Sequence, residues 1–332
     1  APRISGLFIV ALAKGVQSAE GMLANTSARI RTARPEDIPG LLDIKRMLRQ
    51  LCGEATPQAL QTLDPRGFLV AVTDAGELYG GCSISILSES VAMVGFWCVR
   101  PELRHSTLPE QLLRAALRRA GERNVVLRSD GCTVRQLQHA KLFPCVGRWL
   151  FHKVGPELPR LDALPAKVEG VRVMDFNPYT HTDPVGWYAT DVLKIPMKEY
   201  LSALSKQPGI VFKVAVEGRT VCGLGTIERD VGGCAIVRHL TANSLRVAQL
   251  LVRTLIVEFP PATSVGVCMV ASGKRFSNEA GPSGGSKPAF FYEPLGLQYV
   301  STMLMAFTQR EPHIDYKRVF ALYSVCSLFL VV

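Results

Sequence analysis

Val99-Arg100-Pro101-Glu102-Leu103-Arg104-His105-Ser106-Thr107-Leu108-Pro109-Glu110-Gln111-Leu112-Leu113 leaves a hydrophobic run, turns through polar residues and enters a segment with helical apolar spacing. A strand–loop–helix junction of this kind aims backbone N–H groups and the positive end of a helix dipole at one point. That point suits a phosphate or diphosphate. The same residues also fit a purely structural arrangement. Thr107-Leu108-Pro109-Glu110 has capping-box spacing, with Thr107 as N-cap and Glu110 at N3. That box would satisfy helix amides within the protein, and Glu110 would add negative charge near a phosphate.

Upstream, residues 92–99 (AMVGFWCV), 78–86 and 67–72 (GFLVAV) read as strands, with a hairpin turn at 74–77. Residues 29–33 alternate like a further strand. Arg34-Pro35-Glu36-Asp37 opens a helix with Pro and acidic residues in its first turn. Downstream, a helix is expected over about 109–121 and a strand over 124–128. The second half repeats this plan. Strands are expected at 170–174, 210–216, 221–229, 233–240 and 264–270. Residues 188–204 read as mostly helical, and 244–259 as a helix. A short apolar helix at 288–295 and closing strands at 299–307 and 318–332 complete the reading. A recurrence of pattern without identity points to duplication.

The expected division is a poorly ordered leader at 1–27, a first domain at 28–154, a linker at 155–169 and a second domain at 170–332. The linker holds Pro156, Pro159 and Pro165 and little periodicity. Residues 271–287 are rich in Gly, Ser and Pro and read as a loop.

The 332 residues carry 38 Lys and Arg against 28 Asp and Glu, a net charge of +10. The surplus is spread along the chain. There is no basic arm and no aromatic–basic interleaving, so nucleic acid is not an expected partner. No apolar run approaches a membrane span. The nine cysteines include no pair at zinc-finger spacing, and most lie in apolar runs. They read as free buried thiols of a cytoplasmic protein.

At residues 99–109 the chain resembles the GNAT superfamily of N-acetyltransferases, whose pattern there is V-x-P-x-x-[RQ]-x-x-G-x-[GA]. Val99, Pro101 and Arg104 match; Thr107 and Pro109 stand where the family has small residues. Leu240 and Ala242 match the Leu-x-Ala form of tandem members, and Tyr292-Glu293-Pro294-Leu295-Gly296 resembles the family's closing Tyr-Glu-Lys-Leu-Gly. The resemblance implies an α/β (α+β) fold of two tandem GNAT-like domains, each a mixed, mostly antiparallel sheet flanked by helices. It also implies acetyl-CoA as cosubstrate. The coenzyme contacts it implies are Trp97, Cys98, Val99, Arg104, His105, Ser106, Thr107 and Leu108 in the first half. In the second half they are Leu240, Thr241, Ala242, Asn243 and Ser244.

The implied chemistry is direct attack of a primary amine, on a small molecule or a peptide, on the coenzyme thioester. The amine must lose a proton, and the carbonyl oxygen needs donors. Tyr292 resembles the family's general acid, whereas the first half has Phe143 at that place, which cannot give a proton. Glu228, His105 and His239 are candidate bases. A mid-strand Cys98 reads as core and not as a nucleophile. The rival reading is a catalytically degenerate GNAT-fold protein that binds coenzyme or a protein partner. The acceptor, the coenzyme-holding half and the oligomeric state stay open.

Overall fold

The computed structural model describes residues 28–50, 52–155, 159–262, 264–270 and 295–322. The leader, residues 271–287 and Tyr292 lie outside the described residues. The first half runs β1 (Arg29–Thr32), α1 (Asp37–Met47), α2 (Thr56–Leu63), β2 (Phe68–Val72), β3 (Leu78–Ile86), β4 (Val91–Val99), α3 (Leu108–Ala120), β5 (Asn124–Asp130), α4 (Gly131–His139) and β6 (Cys145–Gly155). The second runs β7 (Val171–Asp175), α5 (Thr182–Leu193), α6 (Lys198–Ser205), β8 (Val211–Glu217), β9 (Thr220–Arg229), β10 (Ala235–Ala242), α7 (Leu245–Glu258), β11 (Val265–Val270), β12 (Gln298–Phe307) and β13 (Val319–Leu322).

Strand β6 is not in the sequence reading, and three helical stretches differ from it for local reasons. The helical stretch expected over 188–204 is two helices. Lys194 takes a left-handed conformation at φ 54° and ends α5, and Pro196 follows. Helix α2 is short, starts at a proline and has no acidic first turn, so it leaves little trace in the pattern. Helix α4 starts on Asp130, whose carboxylate accepts from the Cys132 and Thr133 amides at 3.0 and 2.9 Å.

The described strands hydrogen-bond in the order β1-β2-β3-β4-β5-β12-β6-β11-β13-β10-β9-β8-β7. In each half a central strand pairs in parallel with its successor over only three residues. These are Val91–Met93 with Asn124–Val126, and Ala235–Val237 with Val265–Val267. Beyond that the strands part. The halves also exchange strands. β12 of the second half lies between β5 and β6 of the first, and β6 lies beside β11. A cut within 155–169 would therefore leave neither sheet closed.

Burial follows the exchange. One apolar cluster holds Leu60, Phe68 and Phe96 of the first half together with Val192, Leu201 and Phe212 of the second. Separate clusters lie under α3 (Trp97, Leu112, Phe143) and under α7 (Leu240, Leu251, Val267). Burying an apolar side chain of this size contributes about 1.5–3 kcal/mol, so the shared cluster ties the two halves together.

Candidate functional site

The parting of β4 from β5 makes the first cleft. Pairing to β3 skips one residue at Gly95, between Val94 opposite Ile84 and Phe96 opposite Ser83. Such a bulge bends the strand away from its neighbour. A Cβ at Gly95 would lie 2.7 Å from both Leu60 methyls, so glycine here lets Leu60 pack against the strand. Past Met93, no described strand pairs with β4 on its β5 side. The Trp97 carbonyl accepts from the Lys45 ammonium at 2.8 Å, and Lys45 also donates to Gln50 Oε1 at 2.8 Å. Lys45 is fully buried over the Phe96 ring. Trp97 Nε1 donates to the Pro109 carbonyl at 3.1 Å and ties the strand to the start of α3.

Cys98 and Val99 are buried in β4. Burial pushes the Cys98 thiol up to about 11, so it stays protonated near neutrality and is inert as a nucleophile. Arg104 is half-buried, and Asp130 at the end of β5 acts on it electrostatically across the cleft mouth. His105, Ser106 and Thr107 are exposed, and Leu108 is buried. The expected capping box does not form. Thr107 is already helical and makes no cap bond, and Ser106 Oγ accepts from the Leu108 amide at 3.2 Å. Glu110 pairs instead with Arg114 one turn on.

The second cleft is filled by the chain itself. β13 enters between β10 and β11, placing Leu240 opposite Ala321 and Thr241 opposite Val319, with Met269 on its far side. The Ala242 amide donates to the Arg318 carbonyl at 2.9 Å and the Asn243 amide to Cys222 at 2.8 Å. Ser244 caps α7 by accepting from the Val247 amide at 3.3 Å. Leu240, Thr241 and Ala242, expected beside a coenzyme, thus face a strand. Arg318 anchors that strand through Asp191 at 2.6 Å and Asp315 at 2.8 Å.

Glu228, the expected base, lies where the halves meet and is 1% exposed. Its Oε1 accepts from Arg238 and from Thr56 Oγ1, and its Oε2 accepts from the Ala55 amide at 3.2 Å. Arg238 also donates to Tyr200 Oη at 3.0 Å. Burial raises the Glu228 pKa, against the pull of Arg238. A carboxylate with both oxygens engaged is a clamp, not a free base. Around it the Glu54 amide donates to the Arg229 carbonyl and the Val231 amide to the Cys52 carbonyl, each at 2.9 Å.

His239 lies beside this clamp, 4% exposed, with its ring edge on Tyr200. Sequence reasoning named His239 but missed Lys45, Thr56, Tyr200 and Arg238. One signal was present. Arg238-His239 are two polar neighbours inside the apolar strand AIVRHL, which a regular strand would turn to opposite faces. The structure has a bulge there, between Val237 and His239. Among the described residues no group of three or more His, Cys, Asp or Glu is placed to hold a metal ion. No described helix is long and apolar enough to cross a membrane.

No protein-family model matches the chain, and no curated protein matches it by sequence. Solved structures match it by fold. A Pyrococcus horikoshii protein described as an acetyltransferase superposes with a TM-score of 0.68 at 16% identity, over 91% of this chain and 96% of that one. A tandem GNAT protein from the clavulanic acid biosynthesis pathway gives 0.51 at 13% identity, over 86% and 100%. The glucosamine N-acetyltransferase region of a fungal multi-domain β-N-acetylglucosaminidase gives 0.52 at 10% identity, over 86% of this chain and 38% of that one. The chain has the fold of a tandem GNAT protein: two mixed sheets flanked by helices.

Proposed function

We propose that this chain is an acyl-CoA-dependent N-acyltransferase with one coenzyme groove, in its first half, and that acetyl-CoA is the donor. The observation that carries the reading is the asymmetry of the two clefts. The β4–β5 cleft keeps an unpaired strand side, and Arg104 interacts electrostatically with Asp130 at the end of β5. The β10–β11 cleft is taken by β13. The fold neighbours support acyl transfer as the reaction class.

The residues of the first cleft fit the coenzyme in outline. Arg104 supplies positive charge for a diphosphate, and the start of α3 adds its dipole. Lys45 fixes the Trp97 carbonyl and so the line of β4. The bound coenzyme supplies an acetyl thioester. The protein supplies alignment of a neutral amine against it and a dry surround. Burial of thiols outside any disulfide, such as Cys52 and Cys98, supports a reducing compartment, the cytoplasm, as its place.

One observation favours the degenerate reading. The Leu108 amide is spent on Ser106, and Pro109 has no N–H, so two positions of the phosphate loop donate nothing. Thiol release from acetyl-CoA with a panel of primary amines separates the two readings. Amine-dependent release supports the enzyme. Coenzyme binding without release by any amine supports the module.

A further inference from the structure

A small cavity lies where the β4–β5 strands part. Met93, Gly95 and Val126 of the first half line it, together with Tyr200, Arg238 and His239 of the second. Its volume is about 10 Å³. That is room for one water molecule, and an amine nitrogen is of the same size. The cavity therefore admits the tip of an acceptor and little more.

His239 is aimed into it. The ring is 4% exposed, and its Nε2 has no hydrogen-bond partner. An unpaired buried polar atom costs roughly 1–3 kcal/mol and calls for a reason. The backbone and one ring contact set the side chain's place. The bulge at Arg238 brings two consecutive side chains to the cavity. The His239 amide donates to Thr226 Oγ1 at 3.3 Å, Leu322 of β13 lies opposite, and the ring edge meets Tyr200 at 5.6 Å. The strand that closes the second cleft thus helps set a side chain of the first.

We propose that His239 Nε2, lent by the second half, accepts an N–H of the acceptor amine and holds its lone pair toward the first half's cleft. The inference rests on the coenzyme reading above and deepens it. His239 is a positioning group: the amine binds already neutral, and no proton passes to the ring. Burial, with Arg238 on the same strand and Arg128 on β5, holds the imidazole well below its usual pKa. Tyr200 on α6 also packs against the ring, Thr226 on β9 accepts from the His239 amide, and Glu228 on β9 is bound to Arg238. An ammonium ion would lose its hydration in this buried cavity, and the Glu228 carboxylate beside it is already engaged by Arg238 and Thr56. The acceptor class is therefore a weakly basic primary amine. An α-amino group, with pKa about 7.7–8.0, fits better than a lysine side chain near 10.4.

Nitrogen-15 histidine NMR on the full chain tests this, since the chain has only 6 His. The His239 signal is the one missing from His239→Phe. With acetyl-CoA present at pH 7.5, glycinamide is expected to shift the His239 Nε2 resonance, and Nα-acetyl-lysine amide is not. His239→Phe keeps the ring on Tyr200, so it should bind acetyl-CoA as the parent does and acetylate glycinamide about 100-fold more slowly. A resonance unmoved by both amines overturns the proposal, and an equal response to both overturns the assigned class. If glycinamide shifts the resonance in a chain that binds no acetyl-CoA, the coenzyme reading falls and the amine site stands.

Discussion

A methyl group on Gly53 would lie 1.9 Å from the Glu228 carboxylate oxygen, although the two residues belong to opposite halves of the chain. Gly53 bridges to Asp230 in the β-sheet manner, and Glu228 is held from three sides. Neither can move to admit a side chain. Gly53→Ala should cost about 1–3 kcal/mol, the usual range for overpacking a tight site. Urea unfolding reads it as a lower midpoint. An unchanged midpoint would mean that the halves are not clamped here.

The Arg238–Glu228 pair gives a sharper test of the same clamp. Arg238→Met leaves a buried carboxylate without its cation and should cost about 3–5 kcal/mol. Removing both charges, as in Arg238→Met with Glu228→Met, takes away the unpaired charge as well. The double variant should be more stable than Arg238→Met alone. A double variant less stable than either single one would show that Glu228 stabilises through Thr56 and the Ala55 amide without needing Arg238.

Asp230 predicts a pH effect. Burial raises its pKa to about 6, against which the Cys234 and Gly232 amides pull. Between its ordinary value of 3.8 and about 6 the folded chain holds the proton more tightly than the unfolded one. Asp230 therefore favours folding below that window, and this contribution is lost as pH rises through it. Asp230→Asn removes the titration. The stability difference between parent and variant should change from pH 4 to pH 7 in the direction that costs the parent. A difference flat with pH would place the Asp230 pKa near its ordinary value.

Much of the fold was legible because it rests on local signals. The parallel recurrence of strand, loop and helix could be read from Val99–Leu113 and again from Ile236–Leu251. The site was less legible, because its partners are distant in sequence. Lys45 reaches Trp97, and Thr56 reaches Glu228, through contacts that periodicity does not encode. Spacing showed a capping box at Thr107 and Glu110, but Thr107 is already helical and Glu110 pairs with Arg114 instead. The strand exchange was invisible for a like reason. Residues 145–155 and 298–307 are ordinary strands, and only tertiary pairing decides that each serves the other half.

The central claim is one coenzyme site, in the first half, with the second cleft closed by β13. Calorimetric titration of the full chain with acetyl-CoA tests it most directly, alongside Thr107→Glu and Ser244→Glu. Each variant puts a carboxylate at one helix start, where it repels a diphosphate. The account predicts one equivalent bound, lost in Thr107→Glu and kept in Ser244→Glu. Two equivalents, or one that only Ser244→Glu abolishes, would contradict it.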